Sequence, residues 1–128
     1  MTRFSADTPT ERRKLFADAV VAHRQRASPF LTVETPKTDD EEVPPWIQLS
    51  EHTLNMDCTD AELQRLKSML DEYPELRIDE LESPENADGT NVRITARSDA
   101  NRLAEFMDRA FREVYGRPES YTAWAVEV

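Results

Sequence analysis

With 128 residues, of which 38% are apolar and 33% charged, the chain is sized for one domain that buries roughly two-thirds of its unfolded surface, and wholesale disorder is not expected. Its 26 acidic side chains exceed 16 basic ones for a formal charge of −10, and the basic set is thirteen arginines against three lysines, the balance expected of a protein kept solvated in a salt-loaded cytosol. The longest apolar runs, Ala19 to Ala22 and Ala123 to Val126, exclude a spanning helix, nothing reads as a secretory leader, and a single cysteine, Cys58, excludes an intrachain disulfide and a cysteine-rich zinc site.

Residues 1–28 are expected to form a basic amphipathic helix. Thr8 can cap it, Pro9 suits its first position and Glu11 can bond back to the cap. Phe16, Ala19, Val20, His23 and Ala27 then fall at helical spacing with Leu15, until Ser28-Pro29 ends the run. Arg12, Arg13, Lys14, Arg24 and Arg26 fall mostly off that stripe, and the segment holds six basic and three acidic side chains. Residues 29–45 read as a short strand, Phe30 to Glu34, and an acidic, proline-containing linker that includes Asp39-Asp40-Glu41-Glu42.

The main domain is expected over residues 46–128. Trp46 to Ser50 alternates as a strand, with Leu54 and Met56 continuing it after a turn or bulge near Glu51-His52. Thr59-Asp60-Ala61-Glu62 is a capping box, and Leu63, Leu66, Leu70 and Tyr73 repeat at helical intervals until Pro74. A strand at Leu76 to Leu81, a turn-rich loop from Ser83 to Thr90 and the period-two strand Asn91 to Arg97 follow. Ser98 is expected to cap a helix striped by Leu103, Met107, Ala110, Phe111 and Val114, and Tyr121 to Val128 reads as a last strand.

From Trp46 the order strand, helix, strand, strand, helix, strand predicts an α+β fold, a ferredoxin-like βαββαβ antiparallel sheet with two helices on one face, plus the N-terminal helix. In that arrangement Ile47, Leu49, Leu76, Ile78, Val92, Ile94, Trp124 and Val126 face the helices. Trp46, Gln48, Arg77, Arg93, Thr95, Arg97, Tyr121 and Ala125 face away.

The stretch Thr90-Asn91-Val92-Arg93-Ile94-Thr95-Ala96-Arg97-Ser98-Asp99-Ala100-Asn101-Arg102-Leu103, together with Glu11-Arg12-Arg13-Lys14-Leu15-Phe16 and Pro45-Trp46-Ile47-Gln48, resembles a family of small acidic haloarchaeal proteins whose domain has no assigned function. The resemblance implies a salt-adapted archaeal cytosol over nearly the whole chain and brings no catalytic or binding residues with it.

Among residues that could carry chemistry, His52, Asp57 and Cys58 are near one another in sequence, and a thiolate nucleophile needs a base within hydrogen-bond reach. A small buried cysteine is the commoner outcome. His23 lies on an apolar stripe, where a packed histidine is commoner than a ligand. Asp39 to Glu42 lacks the alternating ligands and turn glycine of a calcium loop. With Gly89 and Gly116 as the only glycines, a phosphate-cradling loop and a hydrolase nucleophile elbow are both excluded. No cofactor or metal is expected.

The candidate binding residues are Trp46, Arg77, Arg93, Arg97 and Tyr121 on the open sheet face, with Arg12 and Arg13 on the first helix. Arginine forks suit phosphate and aromatic rings suit unstacked bases, which makes RNA one candidate partner. The same face suits a protein partner or a second copy of the chain. The leading expectation is a non-enzymatic interaction or regulatory module that self-associates or docks on a larger assembly. An RNA-associated factor and a small dimeric enzyme are the alternatives.

Overall fold

The computed structural model describes residues 3–37, 43–83 and 89–127. The Asp39 to Glu42 run and most of the loop between Ser83 and Thr90 lie outside them. In chain order the elements are β1 (Arg3–Ala6), α1 (Pro9–Arg26), β2 (Leu31–Glu34), β3 (Trp46–Ser50), β4 (Thr53–Cys58), α2 (Asp60–Leu70), β5 (Leu76–Glu82), β6 (Thr90–Ala96), α3 (Ala100–Arg109) and β7 (Ala123–Glu127). A π-helical turn over Ala110–Val114 prolongs α3, closed by the amide of Tyr115 donating to the Ala110 carbonyl at 3.1 Å.

The helices begin where local chemistry says they should. Thr8 accepts from the Glu11 amide at 3.2 Å, with Pro9 in the first turn of α1. Thr59 and Glu62 close a full capping box at 2.8 and 3.2 Å. For α3 the cap is Asp99, which accepts from the Arg102 amide at 2.8 Å, rather than Ser98. Aspartate and serine cap about equally well, and here the backbone carbonyl of Ser98 accepts instead from Arg24.

All strands join one antiparallel seven-stranded sheet in the order β1-β7-β2-β3-β4-β6-β5. The expected ferredoxin-like sheet is therefore incorrect in strand count and order. The reason is local: Glu51-His52 is a full reversal, with Ser50 opposite Thr53, so Leu54 and Met56 belong to a separate strand. β2 and β3 then lie between β4 and β7, and β1, a four-residue strand too short to be read from its pattern, extends the sheet beyond β7.

The three helices cover one face. Phe16 and Val20 of α1, Leu66 and Met69 of α2, and Leu103, Phe106 and Met107 of α3 form one buried cluster with Leu31, Val33, Ile47, Leu49, Leu54, Met56, Val92 and Ile94 of the sheet. Fully burying each such side chain stabilises the fold by roughly 1.5–3 kcal/mol. In β7 the buried residues are Ala123 and Ala125, not Trp124 and Val126 as expected, and Tyr121 is buried just before the strand. Because the side-chain period is two, choosing the opposite face exchanges the whole set. Alanines suit the inner face here because α1 packs directly over β1, β7 and β2.

Candidate functional site

No described element covers the second face of the sheet, and none of its described side chains is buried. The register determines its composition. Glu34 of β2 stands opposite Trp46 on one side and Trp124 on the other, so two half-buried indoles flank one carboxylate. A second row runs Val126, Thr32, Gln48, Asn55, Arg93 and Glu80 across six strands. Asp57, Asn91 and Glu82 form a shorter third row.

These side chains are linked to one another. The Asn91 amide donates to Asn55 Oδ1 at 2.6 Å and to Asp57 Oδ1 at 2.9 Å, and Gln48 donates to Thr32 Oγ1 at 3.4 Å. Arg93 Nη1 donates to Glu80 Oε2 at 3.1 Å. The face thus presents a preordered polar ladder with an aromatic and acidic end. Glu34, Asp57, Glu80 and Glu82 share it with Arg77 and Arg93, and Arg3 holds the register position opposite Val126 at its edge.

The seven sequence-predicted binding residues divide among several places. Trp46, Arg77 and Arg93 share the open face, and Arg97 is exposed one position beyond the end of β6. Tyr121 is buried on the helical side. Arg13 is exposed on α1, on the opposite layer of the molecule.

Arg12 is the clearest correction: it lies on the buried stripe of α1, four residues before Phe16, and is wholly buried. Its Nε donates to Asp108 Oδ1 at 2.7 Å, its Nη1 donates to the Tyr121 carbonyl at 2.9 Å, and its guanidinium stands 4.0 Å from the Tyr121 ring centre. The Tyr121 hydroxyl donates to the same Asp108 oxygen at 3.0 Å. Burial, reinforced by the Asp108 charge, pushes the Tyr121 phenol well up, which keeps that donor protonated. Asp108 was missed in the sequence, although it falls one turn from Ala104 and from Phe111 on the apolar face of α3.

His52 lies in the turn that precedes β4 and Cys58 ends that strand, about 20 Å away at the usual strand rise. No thiol–imidazole pair forms. Burial pushes the Cys58 thiol up to about 11, and its sulfur lies 4.0 Å from the Tyr115 hydroxyl. The Tyr115 hydroxyl donates to the Asp57 carbonyl at 2.7 Å. His23 is buried in α1, as a packed histidine would be. Among the described residues no group of three or more histidine, cysteine, aspartate or glutamate side chains could hold a metal ion, and no helix is long and apolar enough to cross a membrane.

Glu34 and Trp124 were also missed as members of the open face. The alternation of β2 carries the signal for Glu34, while Trp124 joins this face because Ala123 and Ala125 take the inner side of β7. No curated protein and no solved structure matched the chain. One family model matches it over residues 1–128, and the chain belongs to that family, a family of unknown function (DUF7975).

Proposed function

We propose that the protein is a non-enzymatic interaction module whose open sheet face docks a basic segment of a protein partner. The observation that carries this reading is the row Trp124–Glu34–Trp46, in which two indoles flank a carboxylate on an uncovered face. A lysine or arginine from a partner gains from both groups, through attraction to the ring faces and to the carboxylate. The carboxylate between the two indoles favours a basic protein over RNA, whose phosphates it repels. Arg93, the residue best placed for phosphate, stands 3.1 Å from the Glu80 carboxylate, which a phosphate would have to displace. The setting we infer is a salt-loaded cytosol, supported by the charge of −10 and the scarcity of lysine.

The test is quantitative capture of partners on the tagged chain at native potassium concentration, with and without ribonuclease, beside Trp46→Ala and Glu34→Gln variants. Ribonuclease-resistant partners that both variants lose support the reading. Partners retained equally by the variants, or lost on ribonuclease treatment, overturn it.

A further inference from the structure

The helical layer carries a second candidate site, independent of the sheet face. A groove of about 650 Å³ runs between α1 and α3, lined by Arg13, Lys14 and Ala17 from one helix and by Asn101, Ala104, Asp108 and Arg112 from the other. Ala17 and Ala104 add little bulk on the facing turns, which leaves the groove open. Arg112 belongs to the π-helical turn, a feature that recurs at functional sites.

Asp108 contributes a buried carboxylate to this groove, only 1% exposed. Its Oδ1 is saturated by Arg12 and Tyr121. Its Oδ2 has no hydrogen-bond partner, although Arg112 Nη2 lies 3.3 Å away as an ion-pair contact. Arg112 Nε is likewise buried without a partner. Unsatisfied buried polar atoms are rare because each carries its full desolvation penalty. Two of them, one acceptor and one donor, belong to residues lining the same groove.

The groove's remaining charges are unevenly committed. Arg109 is held by Glu72 and Glu113. Glu105 accepts from the Tyr73 hydroxyl. Lys14 pairs with Asp18, a carboxylate that also lines the groove, through an exposed contact of the kind that exchanges readily. Arg13 and Lys14 are therefore cations available to an incoming group, joined by Arg112, whose Nη2 is in ion-pair contact with Asp108 Oδ2.

We propose that this groove binds a small hydroxylated oxyanion, with Arg13, Lys14 and Arg112 taking the anionic oxygens and Asp108 Oδ2 accepting the ligand hydroxyl. Arg13 and Lys14 line the groove from α1, and Arg112 with its ion-pair partner Asp108 lines it from the other side, a set that suits a ligand presenting both a negative charge and a donor. Neither a bare anion nor a neutral polyol supplies both.

Isothermal titration of the full chain with glycerol 3-phosphate, glycerate and sulfate, an oxyanion with no hydroxyl at neutral pH, tests the assignment. Glycerol 3-phosphate or glycerate should bind more tightly than sulfate, and which of the two is preferred identifies phosphate or carboxylate as the anionic group. Arg112→Gln and Arg13→Gln should each weaken that binding by about tenfold, as loss of a charge-assisted hydrogen bond does. Asp108→Asn should reduce the preference over sulfate, and because that variant disturbs the Arg12 pair, the two arginine variants decide between the outcomes if it does not fold. Absence of binding up to about 10 mM probe, equal affinity for all three probes, or unchanged affinity in both arginine variants overturns the proposal.

Discussion

Arg12 carries a charge into the contact between α1 and α3, where Asp108 and Tyr121 meet it. A buried ion pair of this kind contributes little net stability compared with a well-packed apolar pair, yet removing one partner leaves the other charge stranded. Arg12→Ala should therefore destabilise the fold by about 3–5 kcal/mol, read from urea unfolding. Replacing both residues, as Arg12→Met with Asp108→Leu, should cost clearly less than the sum of the single changes. Additive losses would show that the pair is not coupled. The dependence on two distant residues also explains why Arg12 looked like a surface cation: its partner lies 96 positions away.

The segment that follows α2 is clamped to α3 by arginines. Arg102 donates from Nε to Glu75 at 2.7 Å and from Nη2 to the Glu72 carbonyl at 2.7 Å, with its guanidinium 4.0 Å from the Tyr73 ring centre. Arg109 donates to Glu72 at 2.8 Å and also to Glu113. Hydrogen bonds from these guanidinium groups hold the Glu72, Glu75 and Glu113 carboxyls below their ordinary value of 4.5. A carboxyl depressed in the folded state leaves the unfolded chain binding more protons at low pH. The clamp's contribution is thus present above pH 4.5 and is lost as pH falls through the depressed folded values. Urea midpoints measured between neutral pH and about pH 3 should fall on acidification, and Arg109→Gln should flatten that fall. An identical pH dependence in the variant would assign acid sensitivity to other carboxylates.

At the scale of the whole molecule, a charge of −10 on a chain of 128 residues opposes compaction. The screening length shortens from about 10 Å at 0.1 M salt to about 3 Å at 1 M, which relieves repulsion between carboxylates on separate elements. Thermal stability should therefore rise as KCl is increased across that range. A midpoint that stays constant or falls would mean that surface ion pairs such as Arg93–Glu80, which salt weakens, outweigh the general repulsion. The two proposed surfaces lie on opposite layers, so ligand binding at the helical groove and partner docking on the sheet face can be measured separately.

The sequence by itself determined what neighbouring residues decide. The starts of α1 and α2, the spacing of their apolar stripes, the alternation of β2, β3 and β6 and the mixed α+β class were legible because caps, turns and periods act within a few residues. The tertiary structure alone decided the rest. Sheet order depended on how far the chain reverses at Glu51-His52, and the face of β7 depended on the closeness of α1 to Ala123 and Ala125. Arg12 became a buried residue through Asp108, and Glu34 came to stand between Trp46 and Trp124 through pairing with two strands far apart in the chain. Such contacts form only when the whole sheet closes, since a residue's pattern can specify which side of its own element is apolar but not which distant side chain will meet it.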